Sequence, residues 1–328
     1  MAGVRVFAGT GGQRFAHAMC ADLDVPLSPI RIQRFANDCL QVQLLENCRE
    51  RDVYLVQSVV RPAQESLMEL LLMVDAAKGA SAARVTAVMP HFAYARSDKK
   101  DAPRISLGGR LVADLLETAG VDRVLTMTLH APQVHAFFRV PTDQLNALRE
   151  LAAHFLPTDL SKATVVSPDL GNAKSASAFA KMLGVPVAAA AKERFDGDRV
   201  EITSLIGDVA GRDVIVLDDE IANGSTVLAV LDLLREHGAR TVRIACTHGI
   251  FANDAVHRIA ADPDVVEIVT TDTVPTAGLL SHDKLTVISV APAFAEAVRR
   301  IHSGESVSAL FDPVVSPAVD PASDPSRV

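Results

Sequence analysis

The sequence predicts an α/β protein with two similar halves, each carrying a mainly parallel central sheet flanked by helices. Three observations carry that expectation. Short apolar runs of strand length alternate with stretches of helical periodicity. The alternation pauses near residue 145 and then restarts. A segment of the first half, Ala83-Arg84-Val85 through His91-Phe92-Ala93, also echoes Ala239-Arg240-Thr241-Val242 through His248-Gly249-Ile250-Phe251. Each copy follows a helical stretch and a Gly-Ala connector, a weak likeness that fits either duplication or chance.

The elements follow in order. A short strand opens the chain before the glycine-rich Gly9-Thr10-Gly11-Gly12. Val53–Gln57 is an apolar run, and Glu65–Ala77 carries an apolar stripe at helical spacing. Arg84–Pro90 reads as a strand, Ser106–Thr118 as a helix and Val124–Met127 as a strand. In the second half come strand Ala163–Val166, helix Ala173–Leu183, strands Val185–Ala189 and Val214–Leu217, helix Val227–Glu236 and strand Val242–Cys246. Strands separated by helices of this length pair in parallel through right-handed crossovers. Domains are therefore expected at 1–145 and 146–290. An amphipathic helix, Ala291–Ser303, needs a surface to dock on and opens a C-terminal segment, 291–311. The Pro-, Ser- and Asp-rich tail 312–328 is expected to be disordered.

Composition removes several function classes. A chain of 328 residues that is 49% hydrophobic has enough apolar material for two cores. The net charge of −8 comes without a basic block, so a nucleic-acid partner is not expected. No run approaches the ~20 apolar residues of a membrane span. The first residues lack the pattern of a secretion signal. Cys20, Cys39, Cys48 and Cys246 form no C-x-x-C pair, and a cytoplasmic location fits them best. There is no P-loop, no complete G-x-G-x-x-G after a strand, no G-x-S-x-G elbow and no H-E-x-x-H helix.

The most informative stretch is Val216-Leu217-Asp218-Asp219-Glu220-Ile221-Ala222-Asn223-Gly224-Ser225-Thr226. A buried strand ends in adjacent carboxylates, a short polar turn follows, and a helical pattern begins at Val227. The backbone N–H groups of a helix start carry partial positive charge and suit a phosphate. Gly224 allows close approach, and the hydroxyls of Ser225 and Thr226 can donate. Asp218 and Asp219 then stand where sugar hydroxyls or a bound Mg²⁺ would lie. An ordinary strand-to-helix turn with Ser225 as N-cap has the same pattern. Likewise Lys192 and Arg194, in the polar stretch Ala191–Arg199, suit either a mobile lid or a solvated hairpin.

Other segments share the order and spacing of one family: Arg49-Glu50-Arg51-Asp52-Val53, Val56-Gln57-Ser58, Leu67–Leu71, Tyr94-Ala95-Arg96-Ser97-Asp98-Lys99-Lys100, Leu125-Thr126-Met127-Thr128-Leu129-His130-Ala131, Val166–Gly171 and Ile206–Val209. Together with the Asp218–Thr226 loop, the chain from about Val4 to Phe311 resembles ribose-phosphate diphosphokinase, also called phosphoribosyl diphosphate synthase. The resemblance implies two phosphoribosyltransferase-like domains and transfer of the diphosphoryl group of Mg-ATP to the anomeric hydroxyl of ribose 5-phosphate. It implies Mg²⁺ as cofactor and a homo-oligomer, usually a hexamer. By position, Phe35, Asn37, Asp38 and Cys39 fall in the segment that contacts adenine from a neighbouring subunit. Arg96, Ser97 and Asp98 match an ATP-binding Arg-Gln-Asp. His130 and Asp169 match the residues tied to Mg²⁺ and its phosphates, and Lys192 and Arg194 the basic pair of a mobile catalytic loop. Asp218 and Asp219 match the ribose-binding carboxylates. Ala222, Asn223, Gly224, Ser225 and Thr226 span the rest of the sugar and 5-phosphate loop, which Arg194 also approaches.

Departures from that pattern fall on substrate grip. The family's adenine segment reads Phe-Ser-Asp-Gly-Glu, against Phe35-Ala36-Asn37-Asp38-Cys39. Asn37 still offers an amide oxygen to adenine, whereas Cys39 is a poor acceptor. Ser97 replaces Gln, and Ala222 replaces an Asp that touches the sugar. A lost charged hydrogen bond is worth ~1.5–3 kcal/mol. The expectation is an active enzyme with altered affinity, regulation or nucleotide choice. Two alternatives are a regulatory paralogue of such a synthase and a phosphoribosyltransferase.

Overall fold

The computed structural model describes residues 3–194, 200–275 and 280–311, and the backbone alone at 192–194, 200–203, 309 and 311. The first half runs β1 (Val4–Ala8), α1 (Gln13–Leu23), a hairpin of β2 (Ile30–Arg34) and β3 (Leu40–Leu44), β4 (Asp52–Val56), α2 (Ala63–Gly79), β5 (Arg84–Met89), α3 (Gly108–Ala119), β6 (Arg123–Met127) and β7 (Thr142–Leu145). Strands β1, β4, β5, β6 and β7 lie side by side in that order, all parallel. Their sequences are near-continuous apolar runs because both faces are covered. In β4, Val53 and Leu55 enter one core while Tyr54 and Val56 enter the other. The hairpin forms a separate two-stranded sheet.

The second half runs α4 (Leu148–Phe155), β8 (Ala163–Ser167), α5 (Ala173–Leu183), β9 (Val187–Arg194), β10 (Val200–Ile206), β11 (Asp213–Ile221), α6 (Ser225–Glu236), β12 (Thr241–Gly249), α7 (Ala255–Ala260), β13 (Val265–Thr271), β14 (Leu285–Ile288) and α8 (Ala291–Ser303). Its seven strands take the order β10-β9-β8-β11-β12-β13-β14, and only β10 is antiparallel to its neighbour. The expected strand at Val185–Ala189 is therefore longer and shifted. It runs to Arg194 and pairs with β10 in a hairpin (Ile202 opposite Lys192, Val200 opposite Arg194). The stretch read as a lid is rooted in sheet at both ends. The tail 312–328 lies outside the described residues.

One core joins the halves. It takes Val4, Phe15, Tyr54 and Leu125 from the first, and Phe155, Phe179, Ile215 and Phe294 from the second. The docking surface of α8 is α1 of the first half: Phe294 meets the Phe15 ring edge-on at 5.1 Å, and Arg299 donates to Asp22 O at 3.2 Å. His302 extends this tie. It lies 2.9 Å from Asp52, whose carboxylate also holds Arg84 and Tyr54. The glycine-rich turn after β1 serves packing: a Cβ on Gly12 would sit 2.3 Å from Val56 O.

Candidate active site

The carboxyl ends of β5, β6, β8 and β11 converge where the halves meet, the edge at which open α/β sheets take ligands. Strand β11 is paired with β8 as far as Val216 and with β12 as far as Ile221. Its last residues, Asp218, Asp219 and Glu220, therefore extend past β8 toward the first half. Asp218 is half-buried. Burial and then the charge of Asp219 push its carboxyl well above the usual range, and Asp169 at the end of β8 adds to the push. Burial also opposes charge on Asp219. The hydrogen bonds from His130 and Asp218 outweigh it and hold Asp219 below the usual range.

The turn after β11 is built by its own side chains. Asn223 Oδ1 accepts from Ser225 N at 3.1 Å and from Ser225 Oγ at 2.9 Å. Gly224 has φ +77°, and a Cβ there would press on Ile259 Cδ1 at 3.1 Å. It is Gly224, and not Ser225, that occupies the N-cap of α6. Ala222 is half-buried, its carbonyl accepting from Ala252 N at 2.8 Å. Arg258 of α7, which the sequence did not signal, donates to Asn223 O at 2.6 Å.

Two side chains of the first half cross to this strand. Arg96, in the 3₁₀ turn Ala93–Arg96 after β5, reaches Glu220 Oε1 at 3.0 Å. His130, beyond β6, places Nδ1 2.6 Å from Asp219 Oδ2, and that bond raises its affinity for a proton against the opposing effect of burial. Asp98 accepts from Gln133, which ties the Arg96 loop to the His130 loop. Ser97 turns inward: its hydroxyl accepts from Gly108 N at 2.8 Å and donates to Ser106 O at 3.3 Å, bracing the start of α3. Asp169 Oδ1 accepts from Asn172 N at 3.0 Å, and Asn172 donates to Leu217 O at 2.8 Å, lashing β8 to β11.

Other expected residues stand apart. Phe35, Asn37, Asp38 and Cys39 form the exposed tip of the β2–β3 hairpin, whose ion pairs run from Arg34 to Asp38 and to Glu65 of α2. The side chains of Lys192 and Arg194 lie outside the described residues. Among the described residues no three or more His, Cys, Asp or Glu side chains form a metal-holding group. Mg²⁺ bound through phosphates keeps several waters and needs few protein ligands, a demand that the carboxylate of Asp169 and the imidazole of His130 can meet.

A sequence profile for the N-terminal domain of ribose phosphate pyrophosphokinase matches residues 4–120, and one for the phosphoribosyl synthetase-associated domain matches 198–312. A ribose-phosphate pyrophosphokinase of Deinococcus radiodurans is 47% identical over 93% of this chain and 97% of its own. The chain belongs to the ribose phosphate pyrophosphokinase family. A Streptomyces coelicolor protein provisionally given the same name is 69% identical over 95% of this chain and 98% of its own. In three dimensions the family fold is shared with phosphoribosylpyrophosphate synthetase of Mycobacterium smegmatis (TM-score 0.86, 37% identity, covering 92% of this chain and 99% of that one). The expected α/β family architecture is thereby established. No described helix is long and apolar enough to cross a membrane.

The family resemblance did not single out Glu220, His91 and His248. Glu220 Oε2 lies 3.1 Å from His91 Nε2, and His91 meets the ring of His248 edge-on at 4.9 Å. His248 Nε2 lies 3.2 and 3.0 Å from the carbonyls of Met127 and Thr128, to which it donates across the seam. Two histidines at strand ends were visible in the sequence; their mutual contact was not.

Proposed function

We propose that this chain transfers the β,γ-diphosphoryl group of Mg-ATP to the anomeric hydroxyl of ribose 5-phosphate, giving 5-phosphoribosyl 1-diphosphate and AMP. The observation that carries the reading is the direct contact between a carboxylate-bearing strand leading into a phosphate loop and two side chains, Arg96 and His130, from the opposite sheet. Ribose 5-phosphate docks with its ester phosphate at the start of α6, where Gly224 permits close approach and a phosphate oxygen would take the place of Asn223 Oδ1 on Ser225 N. Asp218 and Asp219 accept from the ribose hydroxyls. Arg96 and Asp98 hold ATP from the facing side, the guanidinium offering a planar fork to phosphate oxygens. The exposed hairpin bearing Phe35, Asn37, Asp38 and Cys39 is assigned to the adenine of a neighbouring subunit, in a homo-oligomer.

Bound Mg²⁺, held by Asp169 and His130 together with the phosphates, would offset charge on the group in transit. Lys192 and Arg194, on the β9–β10 hairpin, are assigned to close over the transferred phosphorus. Removing one such preorganised group typically costs ~3–4 kcal/mol of transition-state stabilisation. His130 also orients Asp219 through their 2.6 Å contact. The domain limits at 145/146 and 290/291 and a cytoplasmic location belong to the same proposal.

The test is product analysis with ATP, Mg²⁺ and ribose 5-phosphate at millimolar concentration. AMP should form with phosphoribosyl diphosphate in equal amounts, and only with all three present. ADP as the nucleotide product, or no turnover, refutes the proposal; the latter would favour the regulatory reading that the changes at Asn37, Cys39 and Ala222 raise.

A further inference from the structure

Glu220 has no role in the reaction as assigned, yet it is the most tightly enclosed charge at the cleft. It follows Asp219 directly on β11, and its side chain is 3% exposed. Removing a carboxylate from water is costly unless partners compensate. Both partners here come from the other sheet. Oε2 lies 3.1 Å from His91 Nε2, while His91 Nδ1 lies 3.0 Å from Val59 O. Both ring nitrogens face acceptors, so the geometry accommodates an N–H at each end. Oε1 lies 3.0 Å from an Arg96 terminal nitrogen, an ion pair without an aligned hydrogen bond. Burial works against the charge of Glu220, but the bond and charge of His91 and the charge of Arg96 outweigh it, and the carboxyl is held below its usual range.

Exposure is unequal across the pair. Against the buried carboxylate, the Arg96 side chain is 50% exposed. One terminal nitrogen of the guanidinium is paired with β11, and half of the side chain stays open to solvent, so donors remain for a ligand. We propose that Glu220 is a positioning residue for Arg96, fixing its guanidinium so that the free edge meets the triphosphate of ATP. This rests on the assignment of Arg96 to ATP made above. An arginine free in solvent gives up its rotamer freedom on binding a phosphate, whereas a docked one has already given up part of it. The same contact ties the ATP side to the strand that carries Asp218 and Asp219, so it also sets the spacing between the two substrates.

The full-length protein tests this through Mg-ATP binding by calorimetry and the KM for each substrate, in wild type, E220Q, R96A and the double variant. E220Q should weaken Mg-ATP binding and raise the KM for ATP about tenfold, with the KM for ribose 5-phosphate within about twofold. In the R96A background E220Q should change ATP binding no further. Tighter ATP binding in E220Q, an equal rise in both KM values, or additive effects would overturn the proposal. If E220Q does not fold, H91Q, which leaves the carboxylate but loosens it, should show the same split in smaller measure; no split would overturn it. Unchanged Mg-ATP binding in R96A would instead remove the assignment of Arg96 itself.

Discussion

Ala222 is where the chain gives up most at a single position. The carbonyl of this half-buried residue is held by Ala252 N, so its backbone is already set for the sugar loop. Restoring an acid there should add one charged hydrogen bond to ribose, worth ~1.5–3 kcal/mol. Ala222→Asp should therefore lower the KM for ribose 5-phosphate by about tenfold or more and leave that for ATP near its original value. A steady-state titration of each substrate checks this. His248 bears on stability. Burial, with the charge of neighbouring His91, pushes its pKa down from the ordinary 6.5 to about 4. As pH falls below 6.5 the unfolded chain takes up a proton that the folded chain refuses until about pH 4. Stability from this group is thus full above pH 6.5 and falls by about 3 kcal/mol across that window. Thermal midpoints measured from pH 7 to 4 should drop less in His248→Gln than in wild type; parallel curves would refute the assignment.

Elements differ in how far their sequences reveal them. β4, β5, β6, β8, β11 and β12 were legible because strands covered on both faces are written as apolar runs. β2 and β3 were not, because Ile30, Ile32, Leu40, Val42 and Leu44 alternate with Arg and Gln and only half-bury. β10 was missed because it is an antiparallel edge strand, and α1 because it starts directly after a glycine-rich turn. The phosphate loop was legible since its chemistry is local, from Asp218 to Thr226. Glu220 lay within that stretch yet carried no readable signal, since its partners sit 124 and 129 residues away and its burial depends on them. Gly224 is the point where the loop's geometry can be tested alone. Its left-handed φ and the nearness of Ile259 make Gly224→Ala strained. That variant should lose about 1–2 kcal/mol of stability and bind ribose 5-phosphate more weakly, with Mg-ATP binding intact, as calorimetry with each ligand would show.

At the scale of the whole molecule, the two sheets share a core and a polar seam. Phe294 of α8 packs on Phe15, Ser58 donates to Thr273 O at 2.6 Å, and His248 donates to the carbonyls beyond β6. Arg96–Glu220 and His130–Asp219 cross the same seam. The halves are therefore set at a fixed distance by contacts independent of substrate, which is what an in-line transfer between two bound ligands requires. A crystal structure with ribose 5-phosphate, Mg²⁺ and a non-hydrolysable ATP analogue tests this most directly. The anomeric oxygen should lie about 3–3.5 Å from the β-phosphorus, with the sugar on Asp218 and Asp219 and the triphosphate on Arg96. Ligands bound on separate faces, or a triphosphate that leaves Arg96 untouched, would contradict it.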